Sequence, residues 1–257
     1  MSSFDNVGKL ADRAPIVTLA GNVGTGKTTL AATWPKPIFI CVEQGMASIP
    51  YAKRPDAFPP ITKSSQLGPI LRDMENETHG YETLVIDSGS ALDRLFADEI
   101  CASDPKKPAS INQALGGYGN GVAAVGKKQG KLFAACERMS EKGINIVFIC
   151  HSDTIVVDLP DQAEFMRYSL RMGKKSLPYY LDEPDLVGFM RLATSVIESE
   201  SEHKAGKAVS TGEIEICCST AASSEAKNRY GIKHALPVIE GVNPFVGLIP
   251  GLTQDKK

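Results

Sequence analysis

A short glycine-rich motif near the start of the chain constrains the fold more than any other feature of the sequence. Residues 21–28 read GNVGTGKT, which fits the pattern GxxxxGK[ST], and they directly follow the apolar run Pro15 to Ala20. Glycines let backbone N–H groups turn toward phosphate oxygens, and a helix N-terminus adds partial positive charge. The sequence therefore predicts a phosphate-binding loop between a buried strand and a helix, formed by Gly21, Asn22, Val23, Gly24, Thr25, Gly26, Lys27, Thr28 and Thr29.

Two further features indicate that the bound phosphates belong to a nucleotide held with Mg²⁺. Lys27 is placed to reach the β- and γ-phosphates, and the Thr28 hydroxyl is placed to coordinate the metal. The apolar run Thr83 to Asp87 ends in one acidic residue, which is the form of a Walker B strand. Because the carboxyl ends of parallel strands share one sheet edge, we expect Asp87 on the metal side of the loop.

Short apolar runs recur along the first 150 residues, with helical patterns between them. These runs are Pro15 to Ala20, Ile38 to Val42, Thr83 to Asp87 and Ile144 to Cys150. The alternation predicts a parallel sheet covered by helices. Two later strand-like stretches, Leu186 to Leu192 and Glu213 to Ser219, predict an antiparallel extension of this sheet on the C-terminal side.

Nothing in the sequence divides the chain into separate units. It contains no internal repeat, no low-complexity tract and no linker rich in proline, glycine and serine. We therefore expect a single domain over residues 1–257. Residues 1–13 would form an N-terminal lead-in, and residues 241–257, with three glycines and two prolines, would lie over the surface as an irregular tail.

Charge and cysteine usage limit the possible partners and locations. The chain has 28 basic and 30 acidic residues, so binding to nucleic acid would need a local basic patch. The longest apolar run, Ile144 to Cys150, is far shorter than the roughly 20 residues of a membrane span, so no membrane contact is expected. Six cysteines without a CxxC pair suit small core residues in a reduced, cytoplasmic protein.

Two polar residues that end apolar strands are candidates for catalysis. Ser88 occupies the position after Asp87 where many P-loop ATPases carry a catalytic glutamate, so the base must come from another strand. Glu43 directly follows the second apolar run and is the candidate base, although a glutamate at a loop start is often only solvated. His151 ends the fourth run and could sense the γ-phosphate, or it could be a structural histidine.

Three of these segments together resemble the RecA core. FICVEQGMAS resembles the segment in which that family carries its catalytic glutamate, LVIDSGSAL resembles its Walker B strand, and VFICHSD resembles its sensor strand. The resemblance implies a RecA-like P-loop NTPase core of α/β class that binds ATP with Mg²⁺. His151 stands where the family usually has glutamine, so its place matches while its hydrogen-bond chemistry differs.

A second resemblance concerns the C-terminal part of the chain. Residues 226–231, AKNRYG, resemble the KNRFG motif of the RadA branch, which implies that Lys227 and Arg229 reach the nucleotide of a neighbouring subunit in a ring or filament. The alternative is two solvated surface cations. The compact chain also resembles short phage-encoded RecA-core proteins, described as AAA-family ATP-binding or single-strand-annealing recombinases. That likeness implies binding to single-stranded DNA, often beside a single-strand-binding protein, in the cytoplasm of a bacterial host.

Two acid-free basic segments could contact DNA. The first, Pro105 to Cys136, carries five lysines among six glycines and suits a flexible loop. The second, Arg167 to Lys175, has four cations and one tyrosine for base stacking. The candidate DNA-binding residues are Lys127, Lys128, Lys131, Arg167, Arg171, Lys174 and Lys175.

These observations favour an ATPase that assembles on single-stranded DNA and supports recombination or strand annealing. Two alternatives remain open at this point. One is a nucleotide-switched binding module or loader with slow hydrolysis. The other is a small-molecule kinase on the same phosphate loop, with the segment Arg167 to Lys175 as its lid.

Overall fold

A computed structural model describes residues 8, 11–160, 162–197, 207–221 and 223–253. Its strands are β1 (Ile16–Gly21), β2 (Pro37–Cys41), β3 (Asp56–Ala57), β4 (Thr83–Asp87), β5 (Asn145–Leu159), β6 (Gln162–Leu170), β7 (Leu186–Ile197), β8 (Lys207–Cys217), β9 (Lys227–Asn228) and β10 (Leu236–Pro237). Its α-helices are α1 (Lys27–Ala31), α2 (Leu67–Asn76), α3 (Gly89–Ser103), α4 (Asn120–Glu141) and α5 (Pro178–Leu181). None of these helices is long and apolar enough to cross a membrane.

The strands join in the order β10-β8-β7-β1-β5-β4-β2-β3, with β6 paired to β5 and β9 paired to β7. All pairs from β7 across to β3 are parallel, while β8, β9 and β10 pair in the antiparallel sense. The expected α/β class, with a mostly parallel sheet and an antiparallel C-terminal extension, is confirmed. One detail differs, because β7 pairs parallel with β1 and the extension begins only with β8.

Apolar side chains cover both faces of the central strands. Ile16, Leu84 and Phe148 belong to the core layer under α2, α3 and α4. Val17 and Val147 belong to the opposite layer, which packs against α1 and the C-terminal segment. Successive strand residues point to opposite faces, so a strand buried on both sides is apolar throughout, which explains the continuous apolar runs in the sequence.

The expectation of a flexible basic loop is wrong for much of the first basic segment. Residues 120–141 form α4, which begins after Gly119 and is followed by Gly143, both with positive φ. Buried residues at helical spacing, including Val125, Leu132 and Met139, hold this helix against the sheet. The lysines at 127, 128 and 131 therefore lie on a packed helix rather than on a loop.

The C-terminal segment also differs from the expected surface tail. Residues 240–252 form successive turns, but Phe245, Ile249 and Leu252 are buried in the second core layer. The rings of Phe245 and Trp34 lie 6.2 Å apart between their centroids. The C-terminal segment therefore covers part of the second core layer beside α1, which is too short to cover that layer alone.

The strand that carries the candidate sensor is longer than expected. β5 runs on from Cys150 to Leu159, leaves the main sheet and pairs antiparallel with β6 as a hairpin. The pairing sets Ser152 opposite Leu170. The hairpin therefore returns the chain to the carboxyl end of the main sheet, next to the phosphate loop.

Candidate active site

The phosphate loop connects β1 to α1 at the carboxyl edge of the parallel sheet. Gly24 and Gly26 have φ of 84° and 77°, so the loop uses the left-handed backbone that glycine adopts without strain. The Nζ atom of Lys27 donates hydrogen bonds to the carbonyl oxygens of Gly21 at 2.9 Å and Asn22 at 2.7 Å. Burial lowers the pKa of the Lys27 ammonium. The Lys27 ammonium therefore lies against the backbone of the predicted loop, and its role toward phosphates stays a prediction.

Asp87 and Thr28 form the part of the site that suits a metal ion. The Thr28 hydroxyl donates to Oδ2 of Asp87 at 2.9 Å, and Asp87 is only 2% exposed. Burial, the main cause, raises the pKa of Asp87 to about 6. A hydroxyl and a carboxylate are oxygen ligands of the kind that Mg²⁺ binds, so these residues fit the expected ion.

Gly45 is a part of this site that the sequence reasoning missed. A Cβ atom at this position would lie 2.4 Å from Oδ2 of Asp87 and 3.0 Å from Oγ1 of Thr28. A larger residue at position 45 would therefore displace the Asp87 carboxylate or the loop itself. No spacing rule identifies such a glycine, because the close approach depends on how the loop after β2 folds over β4.

The candidate base and the candidate sensor contact each other. Nε2 of His151 lies 2.8 Å from Oε1 of Glu43, although 108 residues separate them in sequence. This hydrogen bond is the largest cause of a lowered Glu43 pKa. Nδ1 of His151 is buried and has no hydrogen-bond partner among the described residues. When Nε2 carries the proton for Glu43, Nδ1 of a neutral His151 is left as an acceptor.

Ser152 links the sensor strand to the phosphate loop. Its hydroxyl donates to Oδ1 of Asn22, which is a loop residue, and the strand register sets Gly21 opposite His151. No sequence pattern indicated this contact, because a serine at the end of an apolar run is common. The end of β5 is therefore tied to the loop that it faces.

The phosphate loop, the Thr28–Asp87 pair and the Glu43–His151 pair face one cleft of about 1600 Å³. Its lining residues include Lys27, Asp87, Glu43 and His151. Three further cations, Arg94, Arg171 and Lys174, also line it. Arg94 was not identified from the sequence, whereas Arg171 and Lys174 were expected to contact DNA. The cleft therefore joins the predicted nucleotide site to part of the second basic segment.

Two of the predicted DNA-binding cations form ion pairs within the fold. Lys128 donates to Oε2 of Glu99 at 3.0 Å and lies over the Phe96 ring, so it is engaged within the fold. Arg167 forms an ion pair with Glu225 at 3.2 Å. The remaining candidates, Lys127, Lys131, Arg171, Lys174 and Lys175, are exposed. Their role in DNA binding stays a prediction.

A buried carboxylate that the sequence reasoning missed anchors the second basic segment. Asp93, in α3, accepts hydrogen bonds from the Gly173 N–H at 2.8 Å and from the Ser176 hydroxyl. It also accepts from Nε2 of Gln129 at 3.2 Å, and Gln129 in turn accepts from the Tyr180 hydroxyl at 2.7 Å. Since α3 starts two residues after Asp87, this network connects the metal side of the cleft to residues 173–176.

Lys227 and Arg229 lie away from the cleft of their own chain. β9 pairs with the beginning of β7, at the amino end of the parallel strands, whereas the phosphate loop follows their carboxyl end. Arg229 bonds Oδ1 of Asp185 at 2.7 Å, and Lys227 donates to the carbonyl oxygen of Asp182. Any contact between these cations and a nucleotide would have to involve another subunit, and that role stays a prediction.

Comparison with known proteins identifies the family. A family model described as an AAA domain matches residues 13–230. No curated protein sequence matches the chain significantly. Solved structures do match, among them one titled "Crystal structure of the RadB recombinase", with 12% identity, coverage of 79% of this chain and 88% of that one, and a TM-score of 0.43. Because the family model spans most of its length, the chain belongs to the AAA domain family of P-loop ATPases.

Proposed function

We propose that this protein binds ATP with Mg²⁺ and hydrolyses it to ADP and phosphate. The observation that carries the proposal is the Thr28–Asp87 hydrogen bond of 2.9 Å beside a glycine loop that holds Lys27. In this proposal Lys27 binds the β- and γ-phosphates, and the loop N–H groups bind the remaining phosphate oxygens. Mg²⁺ held by Thr28 and Asp87 would neutralise charge on the phosphates.

Glu43 is the proposed catalytic base. Its lowered pKa keeps it in the carboxylate form, which can orient a water molecule by accepting a hydrogen bond from it, although the same shift makes the carboxylate a weaker base. The hydrogen bond from His151 fixes the direction of the carboxylate. We propose that His151, which lines the cleft and contacts Glu43, takes part in sensing the γ-phosphate, so that the presence or loss of this phosphate is transmitted to Glu43 through the imidazole ring.

Single-stranded DNA is the proposed partner, and the proposed role is recombination or strand annealing of the phage type. Support comes from Lys174 and Lys175, two exposed cations in a segment that Asp93 anchors to α3, directly after the metal-side strand. We also propose a single domain over residues 1–257, since one sheet includes strands from Ile16 to Pro237. Assembly as a homo-oligomer is a further proposal. A single-strand-binding protein is a further proposed partner.

ATP turnover with and without single-stranded DNA, combined with a size measurement in each state, tests these proposals. We expect ADP and phosphate as products, faster turnover with DNA, and a larger assembly when ATP and DNA are both present. DNA binding without any change in turnover would favour the nucleotide-switched module instead. A phosphorylated acceptor in place of free phosphate would favour the kinase.

A further inference from the structure

We infer that Arg171 binds the terminal phosphate of the nucleotide held by the same chain, which rests on the proposed ATP binding. Arg171 is the first residue after β6. Its backbone N–H donates to the carbonyl oxygen of His151 at 2.8 Å, and its Nη2 atom donates to the carbonyl oxygen of Ser152 at 3.2 Å. Both contacts hold Arg171 at the end of the sensor strand, and its side chain lines the cleft.

The guanidinium of Arg171 has donors to spare. Arginine offers five N–H donors, and the side chain makes the single bond to Ser152 within the described chain. No carboxylate of the described residues pairs with it, in contrast to Arg167, which pairs with Glu225, and Arg229, which pairs with Asp185. An exposed, unpaired guanidinium in a cleft built for phosphates is suited to bind an anion there.

The position of Arg171 favours the terminal phosphate over the rest of the nucleotide. Its side chain and that of Lys27 line the same cleft. Its backbone partner, His151, contacts Glu43, the residue proposed to act at the γ-phosphate. A planar guanidinium binds two phosphate oxygens at once, and this contact would exist with ATP and be lost with ADP.

This inference divides the second basic segment by function. Arg167 stabilises the fold through Glu225, Arg171 faces the nucleotide, and Lys174 and Lys175 remain available for DNA. The sequence alone suggested one DNA-binding cluster. The β5–β6 hairpin separates its members, because it returns Arg171 to the carboxyl edge of the main sheet.

The test compares the affinity for a non-hydrolysable ATP analogue with the affinity for ADP, in Mg²⁺ and without DNA. For Arg171→Ala we expect roughly tenfold or greater weakening for the analogue and a change within about twofold for ADP, because a charged hydrogen bond to the γ-phosphate is removed. Arg171→Lys keeps the charge and should lose less. The control is Arg72→Ala, which removes an exposed arginine of α2 outside the cleft and should change neither affinity.

Several results would overturn the inference. One is an Arg171→Ala variant that weakens the analogue and ADP equally. Another is unchanged affinity for both nucleotides together with weaker binding to single-stranded DNA, which would return Arg171 to the DNA-binding set. If Arg171→Ala does not fold, Arg171→Gln must show the same selective loss for the analogue. A wild-type protein that binds neither nucleotide would refute the proposed function itself, a result distinct from failure of Arg171 alone.

Discussion

At the scale of single residues, Glu43 is the side chain whose role can be separated most cleanly from binding. Glu43→Gln keeps the size of the side chain and a hydrogen-bonding group opposite His151, but it cannot accept a proton from water. We expect ATP affinity near the wild-type value and turnover lower by about 10²-fold or more, measured as phosphate release under saturating ATP. The same loss from Asp93→Asn, with Glu43→Gln active, would show that the wrong carboxylate has been chosen.

Asp87 makes the stability of the metal-free protein depend on pH. Its pKa rises from 3.8 to about 6 on folding, so the folded chain holds the proton more tightly than the unfolded chain. Folding stability therefore falls as pH rises from about 4 to about 6 and stays lowered above this window. Asp87→Asn resembles the neutral form, so it should raise the free energy of unfolding at pH 8 on the order of 2 kcal/mol.

Urea unfolding with a chelator at pH 4, 5, 6 and 8 measures this effect. The difference between Asp87→Asn and wild type should shrink toward pH 4, where both side chains are neutral. Asp98→Asn, at an exposed position of α3, is the control that should show no such trend. An Asp87→Asn variant that is less stable than wild type at pH 8 would mean that Lys27 compensates the buried charge more fully than its position indicates.

At the scale of secondary-structure elements, the segment that follows β6 is the proposed DNA contact. Lys174→Ala/Lys175→Ala should weaken binding to single-stranded DNA and reduce the slope of log affinity against log salt by about 1.4, since each lost phosphate contact removes about 0.7. The readout is fluorescence anisotropy of a labelled oligonucleotide at several salt concentrations. The comparison pair is Lys127→Ala/Lys131→Ala on α4, and a slope change from that pair alone would place the DNA on α4.

At the scale of the whole molecule, Lys227 and Arg229 test whether subunits share a site. Lys227→Ala/Arg229→Ala should be inactive alone and should regain activity when mixed with Glu43→Gln, because a mixed interface can pair an intact Glu43 with intact cations. ATPase activity per chain should also rise with protein concentration. Both quantities are measured by phosphate release after mixed oligomers are verified by size.

A structural role for these cations predicts a different result. Asp185 is 6% exposed and bonds Arg13 as well as Arg229, so loss of Arg229 leaves one cation on a buried carboxylate. If the cations only stabilise this end of the sheet, the variant should melt at a lower temperature and mixing should restore no activity. Melting curves of each variant therefore accompany the mixing experiment.

The sequence by itself determined the features that depend on local residue types. GNVGTGKT fixes a glycine loop because few other residues accept that backbone, and the run Thr83 to Asp87 coincides with β4 because a strand buried on both faces must be apolar. The alternation of apolar runs and helical patterns predicted the mostly parallel sheet, because strands covered by helices on both faces must also be apolar throughout. Each strand, helix or loop signal comes from a few adjacent residues.

Only the tertiary structure decided which distant residues meet. Glu43 contacts His151 because β4 lies between β2 and β5, and no local pattern encodes that strand order. Arg171 reaches the cleft because the β5–β6 hairpin returns it to the edge from which β5 left. The basic residues of α4 and the apolar residues of the C-terminal segment take their places for a similar reason: burial against partners far away in sequence outweighs local composition.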